Sequence, residues 1–318
     1  MDMMMALRAH ARGGPAELVY EQAPRPVAGP GEALVAVHAA GITFDELTWD
    51  LSWTTRDGAD RTPVIPAHEV SGTIAAAGPG VTGLAPGDDV YALIDFDRDG
   101  AAAEYVTVPA SALARRPRSV SHVQAATLPL AALTAWQALV DHAGLAAGER
   151  VLVQGGAGGV GVYAVQLAAV LGGQVTATGR PGSEALVRDL GAREFISSRA
   201  PGGRDGPAGD REAGGQDVVI DTVGGAVSRD SFALLRRGGR LITLGAPPDK
   251  ELAAQFGVKA AFFVVRPDRG ELTRLAGLVD EGRLRPVVSQ VFPLADGRQA
   301  YASRAQDRPP GKTVLAVR

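Results

Sequence analysis

The most specific chemistry in the chain is carried by Gly156-Ala157-Gly158-Gly159-Val160-Gly161, a G-x-G-x-x-G pattern. In a chain with 41 glycines the pattern alone is weak. Its setting strengthens it, because the apolar run Val151-Leu152-Val153-Gln154 precedes it and a helical pattern from Gly161 to Leu171 follows. That order builds a strand, a turn and a helix whose N-terminus offers N–H groups and partial positive charge to a pyrophosphate. Gly156 permits the tight turn, Gly158 lets phosphate approach the backbone, and Gly161 lets the helix lie close to the strand. Gly159 and Val160 complete the loop. About 20 residues further on, an NAD site places Asp or Glu on the ribose hydroxyls. Here that place reads Thr178-Gly179-Arg180-Pro181, with no acid before Glu184. A carboxylate would repel a 2′-phosphate, whereas the Arg180 guanidinium would bind it through charge-assisted hydrogen bonds. The expected cofactor is therefore NADPH in preference to NADH, the alternative being a solvated Arg180 and no preference.

Other chemistries are excluded by composition. The chain has no cysteine, so disulfides, thiolate nucleophiles, Cys-ligated zinc and iron–sulfur clusters are impossible. With 46% hydrophobic and 21% charged residues over 318 positions, it is an ordinary globular chain of about two domains. A net charge of -3 argues against nucleic acid or an anionic membrane as partner. The N-terminus lacks the long apolar stretch of a signal peptide, and the uncharged span 151–179 reads as soluble core. The expected compartment is the cytoplasm.

The elements that must hold the turn are legible as changes of pattern. Up to about residue 110, short runs such as Ala33 to Ala39, Val70 to Ala76, Asp89 to Leu93 and Tyr105 to Val108 are punctuated by Gly and Pro, as in a β-rich domain. From residue 123 the pattern changes. An Ala/Leu-rich helical stretch over 124–140, broken by Pro129, is followed by alternating strands and helices. Strands are expected at 151–154, 175–178, 195–197, 218–221, 241–244 and 262–265. The first helices between them fall at 161–171 and 183–190. Six short apolar strands with helices between them make a doubly wound parallel sheet. Residues 198–216, crowded with Gly and Pro, are expected to form a mobile surface loop. A last helix at 271–280 and strands near 287–292 and 313–317 are expected to return to the first domain. The expected division is 1–122, 123–267 and 268–318, with the first and last parts forming one domain.

At this point the chain resembles the medium-chain dehydrogenase/reductase superfamily, specifically its zinc-independent quinone oxidoreductase (zeta-crystallin-like) branch. The resemblance rests on Gly31-Glu32-Ala33-Leu34-Val35, Ala40-Gly41-Ile42, Pro66-Ala67-His68-Glu69-Val70-Ser71-Gly72 and Pro86-Gly87-Asp88-Asp89-Val90-Tyr91. Ala132-Leu133-Thr134-Ala135-Trp136, the glycine turn, Asp221-Thr222-Val223-Gly224-Gly225 and Gly311-Lys312 extend it over nearly the whole chain. It implies a GroES-like catalytic domain built from both chain ends, a central Rossmann domain and a cleft between them. It also implies a homodimer formed through the last Rossmann strand, near 262–265.

Relatives that hold a catalytic zinc use Cys, His and a third ligand. The matching positions here are Thr43, His68 and the neighbourhood of Leu130, so one of three ligands remains and no metal is expected. His68 is then either a hydrogen-bonded remnant or a proton donor. The resemblance places Thr43 and Thr134 near the nicotinamide, with Gly245 and the segment from Phe263 to Val265 on its other side; Thr178, Gly179 and Val223 are counted with the cofactor-binding residues. It places the substrate walls at Phe44, Leu47, Trp49 and Leu130. Trp53 either lines that cleft or packs a long loop; Asp45, Glu46 and Asp50 read as solvated. Tyr91 and Tyr105 are proton-donor candidates by chemistry, although both fall in strand patterns typical of core tyrosines. Thr43, His68 and Tyr91 form the expected catalytic set.

Without a metal to polarise a simple ketone, the chemistry suited to NADPH is hydride transfer to an acceptor activated by conjugation. The expected function is reduction of a quinone or an α,β-unsaturated carbonyl. The alternatives are a zinc-free alcohol or carbonyl dehydrogenase and a tailoring enzyme of secondary metabolism, including a redox-neutral one.

Overall fold

The computed structural model describes residues 2–198, 215–305 and 309–318. Among them the strands, in chain order, are β1 (Met3–Ala9), β2 (Leu18–Pro24), β3 (Glu32–Gly41), β4 (Glu69–Ala77), β5 (Asp89–Leu93), β6 (Tyr105–Pro109), β7 (Ala114–Arg115), β8 (Arg150–Gln154), β9 (Gln174–Gly179), β10 (Glu194–Ser197), β11 (Gln216–Asp221), β12 (Leu235–Thr243), β13 (Lys259–Phe262), β14 (Val288–Pro293) and β15 (Lys312–Ala316). The helices are α1 (Asp50–Trp53), α2 (His122–Ala125), α3 (Pro129–Trp136), α4 (Gly161–Val170), α5 (Glu184–Asp189), α6 (Ala226–Leu234), α7 (Lys250–Phe256), α8 (Arg269–Asp280) and α9 (Gly297–Ala302). The expected loop over 198–216 falls, apart from its ends, outside the described residues. None of the helices described is long and apolar enough to cross a membrane.

The chain forms two units. The first comprises Met1–Leu133, Arg266–Gly282 and Pro286–Arg318. Its main sheet runs β14-β15-β3-β4-β5-β7, with β6 paired to β3, and β1 and β2 form a separate antiparallel pair. The inward faces of these strands bury Leu7, Val35, Val37, Ile74, Val90 and Leu315 in one apolar core. Val314 pairs with Gly41, so the C-terminal strand is stitched to β3. Gly41 is required there: a Cβ would lie 2.3 Å from the Ala126 carbonyl oxygen and 2.9 Å from Glu69 Oε2.

The second unit comprises Thr134–Val265 with Arg283–Arg285. Its six strands run β10-β9-β8-β11-β12-β13, and every neighbouring pair is parallel. This is the doubly wound sheet read from the sequence. β8 is buried at Val151, Leu152 and Val153, as a strand covered on both faces must be. The Ala/Leu-rich stretch differs in detail from its expectation. Pro129 starts α3, where its missing N–H costs nothing, and the helix then widens into a π-helical turn at Gln137–His142. The last strand of the sheet ends at Phe262; Phe263, Val264 and Val265 lie beyond it.

Candidate active site

In the second unit the glycine turn stands at the C-terminal end of β8, beside the ends of β9 and β11. The Gly156 N–H donates to the Thr178 carbonyl at 2.7 Å, and the Gly155 N–H donates to Thr178 Oγ1 at 3.0 Å. Thr178 in turn donates to Gln154 Oε1 at 2.9 Å. The buried Gln154 and Thr178 side chains thus lash the turn to β9. Gly161 is fixed by closeness, because a Cβ would lie 2.0 Å from the Gly155 carbonyl oxygen. Gly158 is different: a Cβ there meets only that same oxygen, at 3.3 Å. The Gly158 side is therefore open, which is the cradle a pyrophosphate needs at the N-terminus of α4. Gly159 and Val160 sit between these two points, and Val160 caps the helix.

The rest of the nucleotide set lies on the same sheet. A Cβ at Gly179 would meet Ser183 Oγ at 2.7 Å, so the chain turns tightly where Arg180 leaves β9. Arg180 is exposed at the start of the following turn. On β11, the fully buried Asp221 accepts hydrogen bonds from the N–H groups of Val223 and Gly224 at 2.9 and 3.0 Å. That carboxylate shapes the loop and leaves the Val223 side chain exposed. Gly245 has nothing within 4 Å of a Cβ. Thr134 is buried, Val265 is nearly so, and the Phe263 ring stacks on His142 with centroids 4.1 Å apart. These residues fit a nicotinamide dinucleotide, with open backbone at Gly158 and, after β9, Arg180 and no carboxylate before Glu184.

The first unit holds a buried polar network that sequence reading missed. Glu46, read as solvated, is 1% exposed. Its Oε1 accepts the Thr43 N–H at 3.1 Å and the Tyr301 hydroxyl at 2.5 Å, and its Oε2 accepts the Ala67 N–H at 2.9 Å. These bonds supply what water would, so the carboxyl can be buried. Burial nevertheless pushes its pKa up to about 7, against the opposing pull of Tyr301, the two peptide N–H groups and Lys312. Ala67 carries a left-handed backbone (φ 69). The Glu46 bond to its N–H holds that strained residue immediately before His68.

A second buried carboxylate lies beside the first. Glu69 forms an ion pair with Lys312 and accepts the Leu130 N–H at 2.9 Å. Lys312 also donates to the Ile42 carbonyl at 2.8 Å and to Thr43 Oγ1 at 3.2 Å. Thr43 is thus held at its N–H by Glu46 and at its hydroxyl oxygen by Lys312. His68 is 3% exposed, with Nε2 3.9 Å from Glu46 Oε2 and its ring edge-on to Phe96 at 5.2 Å. Burial, helped by the Arg61 charge, lowers its pKa to about 4, so at neutral pH it is uncharged. It cannot serve as an imidazolium acid.

Several expected roles are revised by these positions. Tyr91 is fully buried and its hydroxyl donates to the Leu272 carbonyl at 2.5 Å. Burial raises its pKa further, so it is a core tyrosine and not a proton donor. Tyr105 has Arg25 and Arg318 over its ring, at 4.0 and 4.7 Å. Leu47 is buried in the core, and Trp53 is buried too, with its Nε1 donating to the Leu47 carbonyl. Neither is a pocket wall. Phe44 is partly buried against the same core, Trp49 is half-buried, and Leu130 is 8% exposed. Asp45 pairs with Arg304, and Asp50 with Arg12. Two signals could have found the network: an acid three residues after Thr43, and a lone lysine opening the apolar run 313–317.

A catalytic zinc does not fit these residues. At the three positions where related enzymes hold it stand a threonine hydroxyl that accepts from Lys312, a buried histidine, and the apolar Leu130. Among the described residues no group of three or more His, Cys, Asp or Glu side chains is placed to hold a metal ion.

Comparison with known proteins agrees with this architecture. Residues 29–118 match the alcohol dehydrogenase GroES-like domain family, and residues 190–315 match the zinc-binding dehydrogenase family. The chain is 33% identical over 306 residues to a probable zinc-binding oxidoreductase, mitochondrial, of Arthroderma benhamiae, covering 92% of this chain and 91% of that one. The quinone oxidoreductase from Coxiella burnetii superposes with a TM-score of 0.87 at 28% identity, over 100% of both chains. The CurK enoyl reductase superposes with a TM-score of 0.85 at 26% identity, over 99% of both chains.

Proposed function

This chain belongs to the medium-chain dehydrogenase/reductase superfamily of oxidoreductases, and from that premise we propose that it is an NADPH-dependent, zinc-independent reductase of quinones or α,β-unsaturated carbonyls. The observation that carries the reading is the replacement of metal ligands by the Thr43–Lys312–Glu69 and Glu46–His68 network. Such a site has no Lewis acid for a simple ketone and suits an acceptor activated by conjugation. NADPH supplies the hydride when bound. The turn at 156–161 would hold its pyrophosphate, and Arg180 its 2′-phosphate.

Thr43 is the residue we place on the acceptor oxygen. A lysine ammonium has donors and no acceptor, so the Lys312 contact must run from Nζ to Thr43 Oγ1. The threonine's own hydrogen is left to donate to the oxygen on which negative charge develops. Glu69 balances the lysine charge. The neutral His68 contributes shape and at most a neutral hydrogen bond.

The enoyl reductase similarity supports a second acceptor class, enoyl thioesters, which share the conjugated carbonyl. A homodimer and a cytoplasmic setting complete the proposal, although the Arthroderma relative is described as mitochondrial. The test is NADPH oxidation by EDTA-treated protein against quinones, enones, enoyl thioesters and simple ketones. Turnover of conjugated acceptors with none on ketones supports the reading. Ketone reduction, or activity lost to EDTA and restored by zinc, overturns it.

A further inference from the structure

Arg61 is an arginine whose side chain is only 9% exposed. Its Nη1, with two hydrogens, reaches three main-chain carbonyls, one hydrogen being shared: Leu51 at 3.0 Å, Ser52 at 3.0 Å and Phe96 at 2.8 Å. Its own N–H donates to the Trp53 carbonyl at 3.0 Å, and Asp99 Oδ1 stands 3.6 Å from Nη2. Burying a guanidinium is costly, and an apolar residue would fill the space more cheaply. What the guanidinium does here is join two segments distant in sequence, 49–53 and 95–99.

Those segments carry the aromatic rings next to the Thr43 network. Phe96 is 5% exposed and lies edge-on between Trp49 (centroids 5.3 Å, 82°) and His68 (5.2 Å, 66°). The three rings form a row that runs from the half-buried Trp49 to the histidine beside Glu46. Glu46 anchors the inner end through the Ala67 N–H, and its carbonyl accepts the Ser52 hydroxyl. Arg61 holds the outer end, because it binds the carbonyl of Phe96 and those of the two residues that follow Asp50.

We propose that Arg61 is a positioning residue for acceptor selection: it fixes the Trp49–Phe96–His68 row so that the site grips flat, conjugated rings in preference to linear acceptors. The proposal rests on the reductase reading above. Arg61 does not touch the acceptor; it acts through the placement of Phe96 and Trp49. An aromatic contact of this kind is worth a few-fold to about tenfold in binding.

The test uses Arg61→Met, which keeps the methylene stem and removes the donors, with Arg61→Lys as the conservative variant. Phe96→Leu is a second route should Arg61→Met fail to fold. For Arg61→Met and Phe96→Leu, KM for an aromatic quinone should rise about three- to tenfold. KM for a linear enone, kcat for both and the Kd for NADPH should change less than about twofold, and Arg61→Lys should recover part of the KM loss. Acrylamide quenching and near-UV circular dichroism, with Trp49→Phe to assign the signal, report Trp49 placement without any turnover. Arg61→Met should make Trp49 more quenchable and weaken its dichroic band. Unchanged KM ratios in folded variants overturn the proposal, as does an equal loss on all acceptors. If the wild type turns over no conjugated acceptor, the reductase reading fails. Unchanged Trp49 spectra would then separately refute the positioning role.

Discussion

Two alanine substitutions three residues apart in the glycine turn separate ligand approach from folding. At Gly158 an added Cβ meets only the Gly155 carbonyl oxygen, at 3.3 Å, and the backbone there is not left-handed. The fold should tolerate it, with a stability change within about 1 kcal/mol, since the tight contact is offset by a less flexible unfolded chain. At Gly161 the Cβ would lie 2.0 Å from that oxygen, 2.8 Å from the Gly155 carbonyl carbon and 2.9 Å from Gly156 Cα. All three are backbone atoms, so the helix must move off the strand, at a cost of roughly 1–3 kcal/mol or more. Gly158→Ala should therefore melt close to the wild type yet bind NADPH and NADH at least tenfold more weakly, a loss of about 1.4 kcal/mol. Gly161→Ala should lose both stability and binding. Thermal unfolding followed by fluorescence titration of both cofactors reads the two effects separately. Wild-type affinity in a folded Gly158→Ala protein would refute the assignment of that open face to the pyrophosphate.

Two further outcomes follow from the same geometry. Arg180→Ala should weaken NADPH about ten- to a hundredfold while leaving NADH nearly unchanged, as loss of a charge-assisted contact requires; equal loss for both in titration would remove the 2′-phosphate assignment. His122, stacked on His38 and bonded to Ser71, has its pKa lowered to about 4, by burial first and by the His38 and Arg116 charges against the pull of Asp89. A histidine held neutral in the fold binds fewer protons than its unfolded counterpart between about pH 4 and 6.5, so its stabilisation is complete above 6.5 and lost as pH falls. His122→Asn should shrink the stability difference between pH 7 and pH 4.5 by up to roughly 3 kcal/mol in urea unfolding, and an unchanged difference counts against it.

The second unit was legible because its signals are local. Most strands of the parallel sheet centre on a short apolar run, and the phosphate turn lies within six residues, although β12 also takes in Arg236-Arg237-Gly238-Gly239-Arg240 and β13 lies three residues before the expected 262–265. The network in the first unit was not, because its partners are remote: 255 residues separate Tyr301 from Glu46, and 270 separate Lys312 from Ile42. Glu46 follows Asp45 and reads as surface. Besides the local Thr43 N–H, its burial depends on the arrival of Tyr301 and the Ala67 peptide. Tyr91 fails as a donor for the converse reason. The apolar run of β5 says that its side chains are buried, but not that the Leu272 carbonyl is there to take the hydroxyl.

The pairing of β15 with β3 also bears on the order in which the two units can assemble. The parallel sheet is complete once Phe262 has been made, and it can form while later residues are still on the ribosome. The other unit has to wait. Until Lys312 emerges, Glu69 lacks its cation and Thr43 lacks the ammonium that orients its hydroxyl. The strands that carry the glycine turn can thus be in place before Lys312 reaches Glu69 and Thr43.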